Sequence, residues 1–75
     1  MIPNESYVSD TVKQVKAIGI GYAYFREMAD AIVKRLNIYG VQAISRTVYK
    51  PTCYSGTKKI REIDYYEILE VSRLC

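Results

Sequence analysis

Val41 to Arg73, reading VQAISRTVYK, then PTCYSGTKK, then IREIDYYEILEVSR, is the stretch that decides the fold. Its outer parts, 41–50 and 60–73, are rich in β-branched and aromatic residues and alternate in polarity, which predicts two strands. The middle part holds Pro51, Ser55 and Gly56 and reads as a turn-rich link. Lys50 stands on one side of that link, and Lys58, Lys59 and Arg61 stand on the returning side. A basic hairpin of this kind suits a polyanion better than a small molecule.

Alternation assigns faces to the two strands. In the first, Arg46 and Lys50 share a face with Ile44 and Val48. In the second, Ile63, Tyr65, Leu69 and Val71 share a face that Glu67 interrupts, and Glu62, Asp64 and Glu70 share the other with Tyr66 and Ile68. A basic face lying beside an acidic one forms cross-strand pairs of about 0.2–1 kcal/mol each. That reading makes Arg46 structural rather than functional.

Upstream, residues 22–37, YAYFREMADAIVKRLN, predict a helix. Phe25, Met28, Ala29, Ile32 and Leu36 form one apolar stripe, Arg26, Asp30 and Lys34 recur at spacing four, and Asn37 and Gly40 supply the stop. Residues 12–21 read as a strand ending at Gly19 and Gly21. The rival is a helix from Ser9, disfavoured because each glycine inside a helix costs about 1 kcal/mol. Residues 1–11 read as a flexible arm. The expected fold is therefore α+β in the order β-α-β-β, with one helix on one face of a three-stranded sheet and residues 12–75 as the domain. The other face, with Ile44, Val48, Tyr66 and Ile68, is left uncovered and predicts a homodimer or a larger ring. It is also a surface for a protein partner.

Composition narrows the chemistry. Seventy-five residues make one small domain, which buries about 60% of the surface its unfolded form exposes and needs extra burial. Cys53 and Cys75 are the only cysteines and histidine is absent, so one chain cannot hold a structural zinc, and the thiols read as reduced and cytoplasmic. No apolar run approaches the roughly 20 residues of a membrane helix, and the first residues lack the pattern of a signal peptide. Charge is uneven: residues 41–61 carry five basic side chains and no acid, whereas 62–75 carry four acids and one base.

The motifs point away from catalysis. Gly19-Ile20-Gly21 lacks the third glycine of a dinucleotide loop, since Tyr24 holds its place, and serves better as a turn. Cys53 and Ser55 have no histidine to activate them. Glu67 is the one acid on an otherwise apolar strand face. No enzyme and no cofactor are expected. Most of the eight tyrosines suit half-buried sheet surfaces; Tyr54, in the basic loop, is placed to stack on a base.

The run VKAIGIGYAYFREMADAIVKRL, followed by VQAISRTVYK, a basic loop and DYYEILEV, resembles the second half of Alba-type proteins and of the related stage V sporulation protein S. The resemblance covers residues 12–72. It rests on a strand ending in glycine, the Gly21-Tyr22-Ala23 helix start, a helix of similar length and a closing hairpin. It implies a dimeric binder of DNA or RNA whose basic hairpin arm carries the contacts, here Lys50, Lys58, Lys59 and Arg61. The family has a preceding strand and helix, for which this chain leaves no room, and often a basic residue where Tyr22 stands. The same order is similar to dodecins, small flavin-storing rings, which use a tryptophan that this chain lacks. The leading expectation is a non-enzymatic nucleic-acid binder using Lys50, Tyr54, Lys58, Lys59 and Arg61, with Lys13 and Lys16 as additions. The alternative is a protein-interaction module, such as a small viral or plasmid-encoded factor acting on a host protein.

Overall fold

A computed structural model describes residues 4–51, 53–56 and 58–73, with backbone alone at 53–55, 58–60 and 73. The elements are α1 (Glu5–Ile18), β1 (Ile20–Ala23), α2 (Arg26–Ile38), β2 (Ala43–Tyr49), β3 (Cys53–Ser55), β4 (Lys58–Ile60), β5 (Ile63–Glu70) and a 3-10 turn at Val71–Arg73. The fold is α+β. One antiparallel sheet has the order β1-β5-β2, and β3 and β4 form a second, two-stranded one. Because β1 and β2 both run antiparallel to β5, they run parallel to each other with β5 between them. Helix α2 makes the crossover, giving a split β-α-β arrangement.

The expected strand over 12–21 and the flexible arm over 1–11 are corrected by α1. Val8, Thr11, Val12 and Val15 are all buried, at the i, i+3, i+4, i+7 spacing of a helix face. A pattern begun at Thr11 omits Val8 and so misses the stripe. Asn4 caps the helix, its side chain accepting from the Tyr7 N–H at 3.0 Å. Gly19 ends it in the left-handed region (φ 85°), its N–H donating to the Val15 carbonyl at 2.8 Å, where glycine carries no steric penalty. Both glycines lie beyond the helix, so the cost charged against a helical reading does not arise.

Helix α2 begins four residues later than expected. Tyr22 and Ala23 are drawn into β1, where they pair with Glu67 and Tyr66. Phe25 becomes the N-cap, without a side-chain capping bond. The C-terminus is as the sequence indicates: Gly40 takes φ 81°, and the Val41 N–H returns to the Leu36 carbonyl at 2.9 Å.

Both helices lie on one face of the sheet. The core joins Val8, Val12 and Val15 of α1, Ala29, Ile32 and Leu36 of α2, and Ala23 and Ile68 of the sheet. Gly21 sits opposite Ile68 and directly beneath α1. A Cβ there would lie 2.7 Å from Thr11 Cγ2 and 2.8 Å from Val15 Cγ2, closer than van der Waals contact allows. Two α1 side chains also seal the outer edge of β1: the Tyr7 hydroxyl donates to the Tyr22 carbonyl, and the Gln14 amide donates to the Ile20 carbonyl at 3.2 Å. An edge blunted in this way does not recruit another strand.

Gly21→Ala should therefore push α1 off the sheet and cost about 1–3 kcal/mol, read as a lower urea midpoint. An unchanged midpoint would mean that α1 does not seat on Gly21.

Candidate nucleic-acid interface

The link between the two long strands is itself a hairpin. Pairing of β2 with β5 runs from Ala43↔Glu70 to a bulge between Val48 and Tyr49. Beyond it the Lys50 N–H donates to the Glu62 carbonyl at 2.9 Å. Pro51 has no N–H to continue the ladder. Pairing resumes with Cys53↔Ile60, Tyr54↔Lys59 and Ser55↔Lys58, closing through Gly56 at φ 66°. The result is an arm that prolongs β2 and β5 past the helices. The radius of gyration is 14.2 Å, against about 11 Å for a compact chain of this length, and the extents of 48 × 33 × 15 Å show the elongation.

The predicted contact residues are distributed along this arm. Tyr54 and Lys59 are direct cross-strand partners, and Lys58 lies opposite Ser55; the side chains of Tyr54, Lys58 and Lys59 lie outside the described residues. At the root, the Lys50 ammonium stands 3.7 Å from the Glu62 carboxylate, both more than half exposed. Such an exposed pair contributes little and gives way readily to another anion. The Arg61 guanidinium lies 4.4 Å from the centre of the Tyr49 ring, a cation–π contact that makes Tyr49 part of the surface. Tyr49 is absent from the predicted set, because its pairing with Arg61 depends on how the two sides of the arm's root come together.

Lys13 and Lys16 are elsewhere. They line a small cleft of about 140 Å³ with Ser9, Arg35 and Tyr39, beside the C-terminal end of α2. Lys16 stands 4.4 Å over the Tyr39 ring. Arg35 bonds to Glu5, and that hydrogen bond and charge hold its guanidinium above the ordinary value. This cluster is separate from the arm.

The face of the sheet away from the helices is the other exposed feature. Register places Ile20, Leu69 and Ile44 in one row, Tyr22, Glu67 and Arg46 in the next, and Tyr65 beside Val48. Ile44 and Val48 lie there as expected. Tyr66 and Ile68 do not; they pair with Ala23 and Gly21 on the helix side, and Tyr65 and Leu69 take their place. Ile44 is 45% exposed and Tyr22 is 39% exposed. Tyr22 meets Tyr65 edge to face, centroids 5.5 Å apart at 78°. Amid this apolar surface Arg46 reaches Glu67 at 2.6 Å, with side chains 64% and 12% exposed respectively. Arg46 is thus structural, and Glu67 is its partner.

Among the described residues no cluster of three or more His, Cys, Asp or Glu is placed to hold a metal, and no helix is long and apolar enough to cross a membrane. Set against known protein families, curated proteins and solved structures, the chain matches none of them.

Arg46→Ala should strand the nearly buried Glu67 carboxylate and cost about 1–3 kcal/mol in a urea melt. Arg46→Met combined with Glu67→Leu should recover most of that loss. A double variant that recovers nothing would show that the loss in Arg46→Ala does not come from the stranded carboxylate.

Proposed function

We propose that the chain is a small, non-enzymatic nucleic-acid-binding protein that holds the phosphate backbone with its arm. The observation that carries this reading is the arm itself. Lys50, Lys58, Lys59 and Arg61 are brought onto one paired hairpin beyond the helix-covered body, and no acid occurs between residues 41 and 61. Backbone contacts of this kind set affinity and register on the strand rather than base choice. Tyr54, at the register position of Lys59, and Tyr49, under Arg61, add aromatic surface for stacking. Of the features that carried the resemblance to Alba-type proteins, the helix of similar length and the closing hairpin remain in the fold, whereas the strand ending in glycine and the helix start at Gly21-Tyr22-Ala23 do not.

A second copy of the chain completes the surface in this reading. The open sheet face offers Ile20, Ile44, Tyr22, Tyr65 and Leu69 around one ion pair, and a two-fold axis lets such a patch meet itself. Burial there offsets the marginal core of a small domain. The second reading, a protein-interaction module, draws on that same apolar face and makes no use of the arm.

Fluorescence anisotropy with duplex and single-stranded probes at two salt concentrations separates the two readings. The expected log K falls with log salt with a slope of about −2.7 or steeper on duplex, the value for three phosphates. Lys58→Glu with Lys59→Glu should flatten the slope by about 2; unchanged affinity would remove the arm from the interface. Absence of binding at low salt would retire nucleic acid and leave the protein-interaction module. Light scattering should give the mass of a dimer that Ile44→Glu converts to monomer. A monomeric wild-type chain at micromolar concentration would show that the open face does not pair with itself.

A further inference from the structure

A second feature lies on the helix side of the sheet, at the root of the arm. Between α2 and the outer half of β2 runs a groove of about 350 Å³, with Arg26 and Asp30 on the helix side and Ser45, Thr47, Tyr49, Ile63 and Tyr66 on the sheet side. Register explains how it arises. Thr47 lies opposite Tyr66 and Ser45 opposite Ile68 on the helix face, but α2 begins only at Arg26, and its first two turns leave that end of the sheet uncovered. What faces inward there is mostly hydroxyl and ring, with Ile63 the one aliphatic side chain in the lining. Among the described residues, no hydrogen bond to another protein group engages the hydroxyls of Ser45, Thr47 or Tyr66. Arg26 and Asp30, one turn apart, form none of the ion pairs, so guanidinium and carboxylate are both available to a ligand.

The chemistry of this lining is selective. A carboxylate accepts hydrogen bonds and donates none at neutral pH, so Asp30 excludes a phosphate from its own end of the groove and favours a hydroxyl or an amine. Arg26, one turn earlier, suits the phosphate. Side-chain hydroxyls next to a carboxylate complement a sugar edge, as an acidic residue does at the ribose of a bound dinucleotide. Tyr49 carries Arg61 at 4.4 Å on its ring, a stack that an unpaired base can extend. The volume falls near the lower end of the roughly 300–1,000 Å³ of ligand pockets, room for one nucleotide and not for a duplex.

We propose that this groove takes one ribonucleotide of a single strand held on the arm, with Asp30 and Thr47 reading the 2′-hydroxyl and Arg26 holding the adjoining phosphate. The proposal rests on the nucleic-acid reading above and adds a preference for single-stranded RNA over DNA. The 2′-hydroxyl is the group by which a protein tells the two apart.

The test compares single-stranded RNA and DNA 12-mers of one sequence, titrated against the full chain at low salt. The unmodified protein should bind RNA about tenfold tighter, the factor that one hydrogen bond to a charged group supplies. Asp30→Ala and Thr47→Val should each bring the RNA-to-DNA ratio to within about twofold of one. Thr47→Val changes no charge and should leave DNA affinity within about twofold. Lys58→Glu with Lys59→Glu should weaken both strands and keep the ratio. A ratio of one in the unmodified protein, or a ratio kept in both groove variants, overturns the groove assignment while the arm reading stands. Failure of both strands to bind overturns both. A urea midpoint for each variant confirms that it is folded.

Discussion

The double pairing of β5 is the interaction on which the rest depends. A strand of four residues such as β1 has too little ladder to persist alone, and an isolated pair of strands is marginal in water. Ile63–Glu70 satisfies both by hydrogen-bonding β1 along one edge and β2 along the other. Strand β5 thereby closes over elements that lie far earlier in the sequence. Ile68, fully buried in that strand, sits opposite Gly21 and Ser45. Those two small residues leave it the space to fill and let the helices come down onto the sheet.

Two consequences follow from this closure. The helix side is sealed where α1 and α2 lie, and α1 also covers the free edge of β1 through Tyr7 and Gln14. The opposite side is left with one ion pair in an apolar field. The Arg46–Glu67 pair gives that face a fixed polar landmark. Only the Glu67 end of the pair is nearly buried, so loss of Arg46 would leave a carboxylate without its partner in an apolar field. Among the described residues, the open face and the groove at the arm's root are left accessible, as is the cleft beside Lys13 and Lys16.

In the proposed reading, the arm and the groove divide the work of recognition by chemistry. Cations on a hairpin act through charge, which is long-ranged, screened by salt and indifferent to sequence. Hydroxyls and a carboxylate in a recess act through hydrogen bonds, which are short-ranged and selective. In that reading, the second placed at the root of the first would let a strand be captured by charge and then sorted by contact.

Much of this was legible from residue order. Strands β2 and β5 follow from alternation, the stop of α2 from Asn37 and Gly40, and the basic character of the arm from Lys50, Lys58, Lys59 and Arg61. These are local properties, set by backbone stereochemistry and by charge along a few neighbouring residues. The first helix was legible too, in Val8, Thr11, Val12 and Val15, but only to a reading that began early enough and put the glycines after the helix rather than inside it. Other features had no local signal. Tyr66 rather than Tyr65 points to the helices because β1 and β2 pair with β5 in a particular register, and a shift of one residue would reverse every face. Glu5 with Arg35, Arg61 with Tyr49, and Asp30 with Thr47 in one groove each bring together residues distant in sequence. Their proximity is a product of how the helices settle on the sheet, which depends on packing around Gly21 and Ile68 and is written in no single stretch of the chain.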